Sequence, residues 1–352
     1  MSRVRCVILG ASGLVGQRLQ QRLVAHPMFE ICAIAGSKST AGKSLKSVPW
    51  RLSEPRPDLP ELTIIDANSV ELTKKCSDLD IKYAFSGLPS FAALSIEKAL
   101  TESGVTVFSN ASAHRRARGI PMVIPEINPH HLHSSMQYCA TNCTLIPLVI
   151  PVAAINKISD IKSITMRSEQ ALSGAGWELL FDRTALSGDV NPEIAGEAEK
   201  TRAELLHVLG TIESQEITPA SLDVSISCQR IARRDGHQVF VEIETTVAVP
   251  HNTLIDALKG MTCYSNLPSG PINAIHIVDK IDPIAHLWSD GSNFSLNPDP
   301  VINLKTGMGI VMGNIVLSGT RISFSAYSHN TIRGAAGGLV FLAELVHEQS
   351  LT

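Results

Sequence analysis

Residues 4–16 read VRCVILGASGLVG. Val4 to Leu9 are a near-continuous apolar run rich in β-branched residues, the pattern of a strand covered on both faces. Gly10, Gly13 and Gly16 follow at GxxGxxG spacing. Leu14, Val15, Leu19 and Leu23 then repeat at helical spacing, with Gln17, Arg18, Gln20 and Gln21 on other faces. Pro27 ends that helix, and residues 29–35 (FEICAIA) are a second strand. A strand–turn–helix–strand unit of this kind predicts a dinucleotide site. Glycine allows the tight turn and the approach of backbone N–H groups to a pyrophosphate, and the helix N-terminus adds partial positive charge. Gly10, Ser12, Gly13, Leu14 and Val15 are its expected contacts. A Gly-rich turn with a purely structural role is the alternative.

The cofactor can be chosen from the end of the second strand. An NAD site places Asp or Glu there for the ribose 2′-OH. Here the residues are Gly36, Ser37, Lys38, Ser39 and Thr40, with no carboxylate. A lysine flanked by hydroxyls suits a 2′-phosphate, so NADP is expected, unless Lys38 is an ordinary solvated charge.

Strand and helix signals continue to alternate through residues 62–66, 81–90, 92–100 and 105–110, and residues 121–128 close this half. Such alternation predicts a parallel, doubly wound sheet. Ser86 falls at the end of one of these strands and is a further expected cofactor contact. Near residue 155 the pattern changes. Residues 158–170 read as a strand, 171–176 as a loop and 193–209 as a charged helix. Residues 221–232 and 238–249 alternate apolar and polar over long runs, which predicts antiparallel strands. Residues 307–328 read as a strand pair around Ser318 and Gly319, and 330–348 as an apolar helix returning to the first half. The fold class expected is α/β. A Rossmann-like dinucleotide-binding domain spans 1–141 and 330–352. An α+β catalytic and dimerisation domain, with a mixed, largely antiparallel sheet, spans 142–329.

The composition excludes several classes. The chain has 352 residues, 44% of them hydrophobic and 18% charged, so most of it is not disordered. A net charge of -3 leaves no basic footprint for nucleic acid. The longest apolar run, Leu145 to Ile155, is too short to span a bilayer and contains Pro147 and Pro151. The N-terminus lacks the small-residue cleavage site of a signal peptide, so a cytoplasmic location is expected. The seven cysteines are scattered and form no CxxC pair, which reads as reduced thiols. His130, His131 and His133 tempt a metal reading, but no further ligand cluster accompanies them, and no metal is expected.

Among the cysteines, Cys143 stands where a loop meets the helix-like run from Leu145. A single cysteine is more often core, yet a thiol at a helix N-terminus has a lowered pKa and is a better nucleophile. His237 sits in a turn between two long strands, where a histidine can act as acid or base near neutrality. Arg230 precedes it by seven residues, so the two converge only if a turn or bulge intervenes. Arg233, Arg234, Asp235 and Gly236 supply one.

These segments together resemble the aspartate-β-semialdehyde dehydrogenase family, in its archaeal and fungal-like branch. The resemblance runs in order through residues 10–17 (GASGLVGQ), 85–90 (FSGLPS), 108–115 (FSNASAHR), 123–128 (VIPEIN), 142–144 (NCT), 169–176 (EQALSGAG), 196–200 (GEAEK), 230–237 (RIARRDGH) and 329–338 (HNTIRGAAGG). It implies Cys143 as catalytic thiol, His237 as acid/base and Gln170 as the residue orienting the substrate carbonyl. Arg230 is implied as the carboxylate grip and Glu197 as the amino-group partner. Arg115, Asn142 and Lys200 resemble a phosphate-binding set, and Ser173, Gly174 and Asn330 line the family's nicotinamide pocket. Trp177-Glu178-Leu179 after SGAG departs from the family, as do the charges at Arg233, Arg234 and Asp235. The implied activity is NADPH-dependent reduction of aspartyl phosphate to the semialdehyde through a cysteine thioester. The partners implied are a small-molecule substrate, inorganic phosphate and a second copy of the chain, as homodimer or homotetramer. Rival readings are a malonyl-CoA reductase-like acyl reductase and a non-catalytic Rossmann-type sensor subunit.

Overall fold

The computed structural model describes residues 2–350. The first half builds β1 (Val4–Leu9), α1 (Leu14–Leu23), β2 (Phe29–Gly36), β3 (Ile65–Asp66), α2 (Val70–Asp78), β4 (Tyr83–Ser86), α3 (Ser90–Glu102), β5 (Thr106–Ser109) and β6 (Gln137–Cys139). These strands form one sheet in the order β3-β2-β1-β4-β5-β6, with every pairing parallel. The order reverses between β1 and β4, the position where doubly wound sheets open a crevice at their carboxyl ends. Gly10 and Ser86 stand at those two strand ends.

The second half builds α4 (Leu145–Asn156), β7 (Ile161–Gln170), α5 (Trp177–Leu180), α6 (Arg183–Leu186), α7 (Glu197–Val208), β8 (Thr211–Glu213), β9 (Glu216–Thr218), β10 (Asp223–Arg230), β11 (His237–Thr245), α8 (His251–Lys259), β12 (Ile275–Ile277), β13 (Ile310–Ser318) and β14 (Arg321–Ser328). Its main sheet runs β10-β7-β11-β14-β13-β12 and is mixed. The two long runs read as antiparallel strands run in opposite directions but are not neighbours in the sheet. β7 lies between them, parallel to β10 and antiparallel to β11. The charged turn after Arg230 therefore crosses over β7, which an adjacent hairpin could not do.

Leu145 to Ile155 becomes α4, buried on every side against this sheet with Leu205, Val208 and Leu254 of α7 and α8. No helix among the described residues is long and apolar enough to cross a membrane. The chain closes with a π-helical turn, Ile332–Ala336, and α9 (Gly337–Ser350). Leu339, Val340 and Leu342 of α9 pack beside Leu19 and Phe29 in the first half.

α1 differs from its sequence reading. Gln17, Arg18, Gln20, Gln21 and Arg22 are almost wholly buried, although an amphipathic helix would leave them in water. Each has an internal partner. Gln17 bonds the backbone of Pro49 and Arg51, Arg18 pairs with Glu54, and Arg22 reaches the Leu304 carbonyl. Loops from elsewhere in the chain thus cover the polar side of the helix.

Candidate active site

The Gly-rich turn forms as expected. Gly10 has φ +86°, and a methyl at Gly16 would collide with the Gly10 carbonyl oxygen. Helix and turn are therefore in direct backbone contact, and Gly13 caps α1 with no side chain covering the first N–H groups. That cradle fits a pyrophosphate. Ser12 belongs to the same turn, and Val15 packs close to Gly87, beyond the end of β4. Leu14 is buried with Leu172 and Leu180. Ser86 is fully buried, with its hydroxyl bonded to Glu97 rather than lining the groove. Ser37, Lys38 and Ser39 are exposed in the turn after β2, and among the described residues no carboxylate pairs with Lys38.

The reacting groups gather where β7, β10, β11, α7 and the start of α4 meet. Asn142 is fixed at three atoms. Its backbone N–H donates to Glu204 Oε2 at 2.6 Å, Nδ2 donates to Glu197 Oε1 at 2.8 Å, and Oδ1 accepts the Thr144 N–H at 2.7 Å. This fixes the loop carrying Cys143. Gly334 of the π-helical turn packs against the Cys143 backbone so closely that a side chain there would meet it. Gln170 Nε2 also donates to Glu197 Oε1, at 3.2 Å.

The expected low thiol pKa is not found. Burial, and then the Glu197 carboxylate, push Cys143 up to about 12. Arg115, Arg230 and the residue's own N–H pull it down and lose. The helix N-terminus contributes little against this, because the dipole effect is worth a fraction of a kcal/mol to about 1 kcal/mol in most settings, while enclosing a thiolate costs more.

Arg230 and His237 do converge, at the end of β10 and the start of β11. A methyl on Gly174 would stand 3.0 Å from Arg230 Nη1 and 3.0 Å from His237 Nε2. The backbone of one residue holds both side chains. The Ala171 carbonyl accepts Arg230 Nη1 at 2.8 Å, and the Ala171 N–H donates to His237 Nδ1 at 3.1 Å. Since Nδ1 is an acceptor, the neutral ring carries its proton on Nε2. That Nε2 is buried and has no partner. Burial and the nearby Arg230 cation lower His237 to about 3. At rest His237 is a donor aimed into the site, which corrects the expectation of an acid/base titrating near neutrality.

Asn330 joins the two loops. Its Oδ1 accepts the Gly236 N–H at 2.7 Å and its Nδ2 donates to Ser173 Oγ at 2.9 Å. Arg233 points elsewhere, 3.5 Å from Glu169 and stacked over Tyr327. Arg115 donates to Glu204 Oε1 at 2.9 Å and to the Asn110 carbonyl at 2.8 Å, leaving its Nε and the Asn110 Nδ2 buried without partners. Lys200 is exposed on α7 and has no ion pair among the described residues. His131 is committed to Asn128 and the Gly210 carbonyl.

Glu204 and Asn110 were not found by sequence reasoning. Glu204 had a signal. Glu197, Thr201 and Glu204 lie at i, i+4 and i+7, a polar stripe on the face where a surface helix is normally apolar.

Residues 5–135 match the family model described as semialdehyde dehydrogenase, NAD binding domain. The aspartate-semialdehyde dehydrogenase of Archaeoglobus fulgidus is 34% identical over 98% of either chain. That of Saccharomyces cerevisiae is 30% identical, again over 98% of both. Among solved structures, aspartate semialdehyde dehydrogenase with NADP from Candida albicans is similar at TM-score 0.80 and 27% identity, covering 100% of both chains.

Proposed function

The chain belongs to the aspartate-semialdehyde dehydrogenase family, and from that premise we propose how its residues carry the reaction. The reaction is the reversible, NADPH-dependent reductive dephosphorylation of L-4-aspartyl phosphate to L-aspartate 4-semialdehyde. The observation that carries the assignment of roles is the convergence of Arg230 and His237 over Gly174, in a pocket whose electrostatics also join Cys143 and Glu197.

Arg230 keeps one Nη on Ala171 and presents the rest of its fork to the substrate α-carboxylate. Glu197, ringed by Asn142, Thr144 and Gln170, takes the α-ammonium. These two contacts set the acyl carbon before Cys143. Once the ammonium sits on Glu197, Cys143 releases its Sγ proton to solvent; the thiolate attacks that carbon, the acyl C–O bond to phosphate breaks as phosphate leaves, and a thioester forms on Cys143. Arg115, with its unused Nε, and Asn110 Nδ2 are placed for the leaving phosphate, with Lys200 reaching in from solvent. NADPH, when bound across the Gly-rich turn and Ser173, supplies the hydride. His237 Nε2–H donates to the carbonyl oxygen as negative charge collects there. Collapse breaks the C–S bond, releases the aldehyde and returns the thiolate.

The 2′-phosphate of NADP is assigned to Ser37, Lys38 and Ser39. An acyl-CoA substrate uses neither an ammonium partner nor a phosphate pocket, and a sensor subunit needs no such convergence, so both rival readings are set aside. A homo-oligomer is retained, with the second sheet's open face at Thr165, Arg167 and Glu242 as its contact. The test is oxidation of L-aspartate 4-semialdehyde, following NADPH formation with and without phosphate. Formation that needs both aldehyde and phosphate supports the reading, and phosphate-independent turnover of an acyl-CoA overturns it.

A further inference from the structure

Across the cleft, the Gly-rich turn faces the loop that bears Ser173 and Gly174, and the segment 49–54 passes between them. Gln17 holds this segment in place. Its Nε2 donates to the Pro49 carbonyl at 2.7 Å, and its Oε1 accepts the Arg51 N–H at 2.8 Å. The Arg51 side chain then joins the two halves. Nη1 donates to the Ser12 carbonyl at 2.8 Å, and the guanidinium lies 4.0 Å from the centroid of the Trp177 ring. Leu14, Leu172 and Leu180 close beneath it, with Leu52 at their edge. The space left between Leu14, Arg51, Ser173, Arg234 and Thr331 is about 10 Å³. That holds roughly one water, and a nicotinamide ring needs far more.

Resting on the cofactor reading above, we propose that Arg51 and Trp177 form a latch across the nicotinamide end of the groove, which parts when the dinucleotide enters. Trp177 is 39% exposed, and α5, which carries it, has only four residues. A cation–π contact this open favours the closed state by only about two- to fivefold, enough to hold the groove shut and little enough to release it. The release has a driving force. Arg51 is bonded to Ser12, inside the turn whose N–H groups face the pyrophosphate. An arriving pyrophosphate offers the guanidinium charge-assisted hydrogen bonds, which are stronger than stacking on an indole. The cofactor's own charge thus draws Arg51 off Trp177 and opens the way for the ring.

The test combines calorimetry with stopped-flow tryptophan emission as NADP⁺ is added to the full chain. Wild type is compared with Trp177→Leu and Arg51→Gln, both matched to wild type by circular dichroism. The expected result is an emission change in wild type that is lost in both variants, in Arg51→Gln because Trp177 is already unlatched. Trp177→Leu should bind NADP⁺ with an association rate constant about two- to fivefold higher. If the emission change survives in both variants, or Trp177→Leu associates at the wild-type rate, the latch is overturned while the cofactor reading stands. If calorimetry shows no NADP⁺ binding to wild type, the cofactor reading fails and the latch falls with it.

Discussion

The carboxylate of Glu197 and the thiol of Cys143 oppose each other's charge in one half-buried site. After burial, Glu197 is the largest influence keeping Cys143 protonated. A substrate ammonium on Glu197 would cancel that influence, so the nucleophile is armed by the substrate it attacks. Glu197→Gln should therefore raise the alkylation rate of Cys143 by iodoacetamide about tenfold near pH 8, for about one pK unit. It should also weaken aldehyde binding. Site-resolved mass spectrometry must follow Cys143 alone, because Cys32, Cys228 and Cys263 are also partly exposed. An unchanged or slower rate at Cys143 would show that Glu197 does not govern the thiol.

Arg230 and Arg233 separate cleanly. Arg230→Lys keeps the charge but cannot both bond Ala171 and present a fork to a carboxylate. The loss should be about 1–3 kcal/mol in kcat/KM for the aldehyde, with phosphate KM nearly unchanged. Arg233→Ala should leave aldehyde KM within about twofold, since Arg233 is engaged with Glu169 and Tyr327. The reverse pattern would transfer the carboxylate grip to Arg233.

Much of this was legible in the sequence because it is local. The GxxGxxG turn, the alternation of strands and helices, and the buried run at Leu145 each follow from spacing within a short window. The electrostatics were not legible, because they depend on what comes from far along the chain. Cys143 looks activated beside a helix start and becomes suppressed only when Glu197 folds against it. Arg18 looks solvated on α1 and is buried only because Glu54 and Thr331 close over it. The tautomer of His237 is set by a backbone N–H at Ala171, which carries no side-chain signal at all.

Glu204 should report on the phosphate subsite. It holds Arg115 and the Asn142 N–H together, so Glu204→Gln keeps an acceptor but unpairs a largely buried cation. The expected outcome is a higher phosphate KM with little change in aldehyde KM, and a lower Tm, because breaking a buried pair costs on the order of 3–5 kcal/mol. Lys200→Ala, exposed and unpaired, should raise phosphate KM without moving Tm. Equal effects on both substrates in Glu204→Gln would mean that it holds the whole site rather than one end.

Lys38 is the cation nearest the end of β2, with Lys43 further along the same loop, and NADP should be preferred over NAD by about tenfold or more, near 1.4 kcal/mol for one charge-assisted contact. Lys38→Glu should shift the ratio of kcat/KM values towards NAD. Equal kcat/KM for both cofactors in wild type would remove the assignment.

His237 and His329 are both fully buried, and both are lowered by burial and neighbouring arginine charge, to about 3 for His237. Two consequences have opposite visibility. In catalysis, His237 stays neutral through the neutral range, so kcat/KM should show no acid limb near pH 6.5. In folding, the unfolded chain binds protons at these two positions below about pH 6.5 while the native chain does not. Stability then falls as pH drops, by up to roughly 2.7 kcal/mol per pH unit for two protons. Glu97 and Glu126 are raised by burial and act in the opposite sense nearer the carboxylate range. The steepest loss should therefore begin just below pH 6.5 and ease at lower pH. His131, His207, His276, His286 and His347 are lowered by burial too and add to the slope in the same sense. Urea unfolding across that range measures it, and His237→Gln should reduce the slope by one proton's share, up to roughly 1.4 kcal/mol per pH unit. A kcat/KM limb at pH 6.5 that disappears in His237→Gln, with an unchanged stability slope, would mean that His237 titrates in the native enzyme after all.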